Sequence, residues 1–308
     1  MNLAPVVLFA YKRPEHTRDT LLALQKNKLA GKSQLTIFID GLKSNASAED
    51  RALHQQVIEI AKSKNWCGET KVIESTTNKG LAASIVFGVE EILKESENII
   101  VLEDDLQTSP LFLDFMNTAL KKYAQTPDVA CISGYVYPLT LKMSDAFFLK
   151  GADCWGWATW KNKWKNTFVN NPEQLYTELL QSGKLNDFEF NTSYPYLQML
   201  KDRLEGKNQS WAILWYAAAF LKNQYCLYPP SSFVYNSGND GSGTNSNNET
   251  AKFNTALELT EIPSFPEIIA EYPPARKAFE DFFRDLTGTK KSGTLQILKQ
   301  KLKSILGQ

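Results

Sequence analysis

Short β-rich apolar runs alternate with helical patterns through the first half of the chain, and no other feature narrows its possible folds so far. Strand-like runs at 5–10, 35–40, 71–73 and 99–103 are interleaved with helical patterns over 17–25, 48–62, 80–94 and 110–123. Strand, helix and strand in regular succession predict a parallel sheet with helices on both faces. Ligands in such sheets bind at the carboxyl ends of the strands. The segment from Glu103 to Ser109 is predicted to be a loop at that edge, because Pro110 suits a first helical position behind the capping residue Ser109.

The second half loses the rhythm. Strand-like runs at 129–133 and 146–149 precede an aromatic block, Trp155-Gly156-Trp157-Ala158-Thr159-Trp160, and helical stretches follow at 172–181 and 211–221. The spacing of Trp157, Trp160 and Trp164 predicts one helical face, with Trp160 and Trp164 packed in the core. A loop over 236–248, rich in Asn, Ser and Gly, reads as a surface segment able to order on a ligand. From Pro263 the pattern is helical with prolines between helices. Residues 287–308 hold five lysines and no acid. The expected organisation is an α/β domain over 1–262 and a helical C-terminal extension over 263–308 ending in a basic amphipathic tail.

Composition removes several classes of function. With 34 Lys+Arg against 34 Asp+Glu the net charge is zero, so the positive excess needed by a general nucleic-acid binder is missing. No run approaches the roughly 18 apolar residues that span a bilayer, and no leader pattern is read at the start. Cys67, Cys131, Cys154 and Cys226 are scattered, and only His16 and His54 accompany them, so neither zinc site nor disulfide framework is expected. A reducing, cytoplasmic setting fits. The N-x-S/T triplets at Asn45, Asn191, Asn208 and Asn248 are read as chance.

The chemistry is narrowed first by what is missing: no G-x-G-x-x-G, no G-x-x-x-x-G-K-[ST] and no G-x-S-x-G occurs in the sequence. What it offers is Glu103-Asp104-Asp105 at the end of an apolar strand. Crowded carboxylates need a positive partner, and Mg²⁺ or Mn²⁺ held by one or two of them plus substrate phosphates is one answer. An acidic loop capping the following helix accounts for the triplet equally well. Asp40 ends another strand at the same predicted edge, or forms a simple Asp-Gly turn. Arg13 follows the first strand, where a guanidinium suits a phosphate oxygen. Asn78-Lys79-Gly80 opens a helix, and Lys79 beside its amides suits an anion or a ribose. Trp155, next to flexible Gly156, is placed to wall a sugar pocket.

In order along the chain, Phe9-Ala-Tyr-Lys-Arg13-Pro14, Phe38-Ile-Asp40-Gly41, Val101-Leu-Glu103-Asp104-Asp105-Leu106, Cys131-Ile-Ser-Gly134, Gly156-Trp157, Trp211-Ala-Ile-Leu-Trp215 and Gly238-Asn-Asp240-Gly-Ser-Gly243 resemble a GT-A glycosyltransferase. Within that class the chain resembles the N-acetylglucosaminyltransferase I family and its bacterial polysaccharide-locus relatives. The resemblance implies a Rossmann-like, mostly parallel sheet and a nucleotide-sugar donor lying across its edge. Arg13 would meet the diphosphate, Asp40 the uracil, Glu103 and Asp104 sugar and ribose hydroxyls, and Asp105 the metal. Where that family has an acidic pair between two tryptophans, this chain has Ala212, Ile213 and Leu214. The base that would deprotonate an acceptor is therefore sought in Asp240 or Asp153.

The expectation is a metal-dependent, inverting transferase that moves a sugar from a UDP-sugar to a hydroxyl of a polysaccharide or lipid-linked glycan. Its rivals are a nucleotidyltransferase of similar fold and an inactive sugar- or nucleotide-binding protein. Leu295, Leu298, Leu302 and Ile305 form one stripe flanked by Lys299, Lys301 and Lys303. That tail is expected either to touch an anionic membrane from the inner face of the cell membrane or to pack on the domain.

Overall fold

A computed structural model describes residues 3–238, 250–257 and 259–288. In chain order the elements are β1 (Val6–Ala10), α1 (Pro14–Gln25), β2 (Gln34–Ile39), α2 (Ala48–Lys62), β3 (Glu69–Glu74), α3 (Leu81–Glu95) and β4 (Asn98–Glu103). There follow β5 (Leu106–Thr108), α4 (Phe112–Lys122), β6 (Val129–Ser133), β7 (Phe147–Lys150), β8 (Trp157–Trp160), α5 (Lys161–Thr167), α6 (Pro172–Gln181) and α7 (Leu185–Phe188). The last are α8 (Tyr196–Leu204), α9 (Ala212–Leu221), β9 (Tyr225–Tyr228), β10 (Val234–Asn236) and α10 (Pro273–Thr287).

Eight strands form one mixed sheet in the order β3-β2-β1-β4-β8-β6-β9-β7. The pairs β3·β2, β2·β1, β1·β4 and β6·β9 are parallel, while β8 and β7 run against their neighbours. The α/β class expected from the sequence holds, and its parallel half is the half whose rhythm was regular. β1 is buried at every position because it pairs on both sides and is covered on both faces. Alternate side chains serve different layers. Val7 and Phe9 join Ile85 and Val89 of α3, whereas Val6 and Leu8 join Leu21 and Leu24 of α1.

Four sequence readings change. Trp157 and Trp160 lie on a strand, not a helix, so the three-residue spacing sends them to opposite layers. Both rings, and Trp164, are buried, as expected of core residues. The 103–109 loop contains β5, which pairs antiparallel with β10, and α4 begins at Phe112 with no side-chain cap. Residues 263–272 are not helical: Ala146 donates to the Ser264 carbonyl at 3.0 Å, and Phe148 bridges to Glu271. That stretch flanks β7, the end strand of the sheet, and α10 then buries Phe279, Phe283 and Leu286 in the core shared with α9. All four cysteines are unbridged. Among the described residues, no helix is long and apolar enough to cross a membrane. The tail after residue 288 lies outside the described residues.

Candidate functional site

The carboxyl end of β4 lies beside that of β1, with Phe9 paired to Glu103. The chain leaving β1 reaches Arg13, and Pro14 starts α1 one residue later. The Arg13 guanidinium donates to Asp104 and, at 2.8 Å, to Asp105 Oδ2. Thr20 Oγ1 of α1 also donates to the Asp104 carbonyl at 2.8 Å, fixing the helix to the acidic turn. Burial, and then the neighbouring Asp105 and Asp104 charges, push the Glu103 carboxyl up to about 8. Burial also raises Asp104 to about 6, although Arg13 pulls the other way. Glu103 thus resists ionisation, and one guanidinium faces the carboxylates of Asp104 and Asp105. The positive partner sought for the triplet is therefore Arg13 itself. Its Nη1 is buried with no partner among the described residues, so its two N–H groups are left unsatisfied.

Asp105 is framed by the strand that returns beneath it. β10 pairs with β5 so that Asn236 faces Leu106, and Ser237 then donates its amide to the Asp105 carbonyl at 2.8 Å. A Cβ on Gly238 would fall 2.1 Å from Asp105 Oδ2. Glycine lets the chain cross close to the carboxylate there, and a methyl group would have to turn the Asp105 side chain aside. Among the described residues, no three His, Cys, Asp or Glu side chains converge on a metal position. The donor set suits a cation that brings most of its ligands with it, as Mg²⁺ or Mn²⁺ does with a diphosphate.

Asp40 follows β2, on the other side of β1, and its carboxylate is fully engaged. Oδ1 accepts from the Gly41 and Lys79 amides at 3.0 and 2.9 Å, and Oδ2 from Asn78 Nδ2 and the Gly80 amide at 3.0 and 2.8 Å. These bonds fasten the 78–80 turn, with Gly80 at φ +78°, to the sheet edge. A direct contact from Asp40 to a base requires exchange of one of those donors. The Lys79 ammonium caps Ser75 Oγ at 2.5 Å and sits over the Phe87 ring, away from Asp40.

Asp153 approaches from the other half of the sheet. Its Oδ1 accepts the Cys154 and Trp155 amides at 2.6 and 3.3 Å, and Oδ2 accepts the Tyr228 hydroxyl at 3.2 Å. Burial raises its carboxyl to about 6 despite those three donors. Burial, and after it the nearby acids led by Asp153, push the neighbouring Cys154 thiol well up. Trp155 is half-buried and packs edge-on against Tyr135 and Phe253, with centroids 4.7 and 5.7 Å apart. Tyr228 was missed in the sequence because β9 is too short for its alternation to register. Ala212, Ile213 and Leu214 lie on the core side of α9 or at its start, and supply no acid.

The fold thus brings Arg13, Glu103, Asp104 and Asp105 into one cluster, ties the Lys79 amide to Asp40 at the next strand end, and joins Asp153 to Trp155 and Tyr228 in the other half of the sheet. Asp240 lies outside the described residues.

No family model matches the chain, and no curated protein matches it either. Among solved structures, the chain is similar to residues 1–349 of TarS from S. aureus, with 14% identity and a TM-score of 0.36 over 57% of this chain and 51% of that one. A longer S. aureus TarS structure gives 14% identity and a TM-score of 0.37, covering 57% of this chain and 31% of that one. The chain spans about half the length of the first and a third of the second. With TM-scores this low, neither likeness carries weight for function.

Proposed function

We propose that the chain is a glycosyltransferase that moves a sugar from a nucleotide-sugar donor to a glycan hydroxyl. The observation that carries this reading is the Arg13–Asp104–Asp105 cluster at the carboxyl edge of β1 and β4, with Glu103 beside it. Such an edge offers acceptors for ribose and sugar hydroxyls and the unpartnered Arg13 Nη1 for a diphosphate oxygen. The donor is a UDP-sugar in this proposal, and Asp105 holds Mn²⁺ or Mg²⁺. When bound, that ion supplies charge neutralisation at the diphosphate.

Asp153 takes the acceptor proton. A carboxylate raised to about 6 is still ionised at neutral pH and is a better base than an ordinary aspartate. The acceptor oxygen attacks the anomeric carbon, the bond from that carbon to the phosphate oxygen breaks, and the nucleoside diphosphate departs with the electron pair. A single displacement of this kind inverts the anomeric centre. Tyr228 and the amides of Cys154 and Trp155 hold the Asp153 carboxylate in one orientation throughout.

Donor hydrolysis and transfer to a mixed glycan library, measured with and without Mn²⁺, test the reading. Asp105→Asn should abolish any metal dependence of UDP binding in calorimetry while the melting temperature holds. If UDP-sugars neither bind nor turn over, the proposal falls, and a protein that binds them without turnover is the inactive rival. The acceptor is lipid-linked in this proposal. Co-sedimentation with anionic liposomes that disappears on removal of residues 289–308 supports membrane contact by the tail, and equal sedimentation of both forms ends that part.

A further inference from the structure

Asp153 stands between β7 and β8, partly accessible to solvent, and three donors meet its carboxylate. Two are the amides of Cys154 and Trp155, whose place is set by the adjoining backbone. The third, the Tyr228 hydroxyl, reaches it from β9, so its hold depends on what keeps the phenol ring in place. Two rings do so. Phe147 of β7 lies flat against Tyr228, with centroids 5.6 Å apart and planes at 12°. Phe279 of α10 meets the same ring edge-on, at 5.3 Å and 73°. These two also touch each other, at 6.2 Å and 80°, so the phenol belongs to a closed triangle of buried rings. Phe279 is braced in turn by Phe190, stacked at 6.0 Å, and by Tyr137 at 5.2 Å.

We propose that Phe279 and Phe147 are positioning residues for Asp153, acting through Tyr228, so that α10 orients this carboxylate through an intervening ring. A phenol locked by packing keeps its hydroxyl on one oxygen, whereas a phenol free to pivot divides its time among other orientations. The positioning itself needs no substrate, and its consequence for turnover rests on the reading of Asp153 as the acceptor base. The groups that feel the Asp153 charge are Tyr135 and Tyr137 after β6, Cys154 beside it, Tyr196 of α8, and Cys226 and Tyr228 of β9. Burial pushes every one of these phenols and thiols up, so none of them ionises near pH 6. A change in the Asp153 midpoint therefore reports on its hydrogen bonds and its hydration, which act in opposite directions. Loss of a donor to the charged form raises it, and entry of water lowers it.

Carbon-13 NMR titration of the Asp153 carboxyl in the full chain, assigned with Asp153→Asn, tests this without substrate. Tyr228→Phe is expected to raise the midpoint by about one pH unit. Phe279→Leu and Phe147→Leu should each raise it by a smaller amount, and neither should raise it further in a Tyr228→Phe chain. Leu286→Ala, buried about two turns further along α10, removes packing from the same helix and should leave the midpoint in place. An unmoved or lowered midpoint in a folded Phe279→Leu protein overturns the proposal, as does an equal rise from Leu286→Ala or a rise that persists in full on top of Tyr228→Phe. If Phe279→Leu does not fold, Phe147→Leu decides by the same criteria. In assays with a nucleotide sugar, kcat should fall while the donor KM holds, and the acid limb of the pH profile should follow the NMR midpoint. Raised midpoints without turnover, or with an acid limb that stays in place, sink the transfer reading or the role of Asp153 in it and leave the positioning standing. Turnover with an unmoved midpoint sinks the positioning alone.

Discussion

Arg13 compensates two carboxylates that the fold has already desolvated, so its removal leaves charge stranded. Arg13→Gln is expected to lower stability by about 3 kcal/mol, the usual result of breaking a buried pair from one side. Adding Asp104→Asn should return part of it, and urea melts of the single and double variants check the coupling. Gly238→Ala should act on function more than on folding, because its methyl group meets Asp105 and must turn that carboxylate away from Arg13. The expected signature is a fall in turnover with a nearly unchanged urea midpoint. For Asp153 the sign follows from its raised carboxyl. The folded chain keeps a proton that the unfolded chain loses above 3.8, so this group's contribution declines as pH rises through about 6. Asp104 and Glu103 slope the same way. Asp153→Asn should therefore flatten the stability curve between those values and remove a turnover limb near pH 6, while a profile unmoved in both respects would exclude it as the base.

At the scale of elements, α3 is held twice, by Asp40 at its start and by close contact with β1 at its middle. A Cβ on Gly88 would lie 2.6 Å from the Phe9 ring, so the helix lies against the strand with nothing between. Gly88→Val is expected to cost about 1–3 kcal/mol, the range for overpacking, and Phe9→Leu in the same chain should relieve part of it in thermal melts. These tightly packed parallel strands were the legible part of the sequence: β1, and residues 37–39 of β2 and 99–102 of β4, are apolar runs that a two-sided environment explains. What was not legible has a physical reason as well. β5 and β10 have three residues each, too few for a period, and β8 puts two tryptophans three apart, a spacing that a helix mimics. The cluster residues could be named from strand ends, but the pairing of Arg13 with the acids depends on contacts across 91 and 92 positions.

For the molecule as a whole, the stretch after residue 262 is bound to the rest by more than packing. Arg276 of α10 reaches Asp187, Glu271 and Glu280 and stacks on Phe190, with its carbon centre 3.9 Å from the ring centroid. A chain ending at residue 262 would expose the seats of Phe279 and Phe283, and is expected to be insoluble or to bind ANS strongly. A compact truncated chain with native near-UV signal would instead show that the first part folds by itself. The same contact has a bearing on timing. Phe190, Asn191 and Thr192 stand consecutively in the left-handed region, at φ +49°, +54° and +58°, where each costs about 1–2 kcal/mol. Asn191 is gripped there by Glu280 and by Arg284, which reaches its carbonyl from 93 residues further on. During synthesis, residues 190–192 leave the ribosome well before the residues that hold them in place. The turn is therefore expected to stay open until α10 has emerged, with the aromatic layer beneath it exposed for that interval, so that docking of α10 sets the pace at which the half of the molecule carrying Asp153 becomes native.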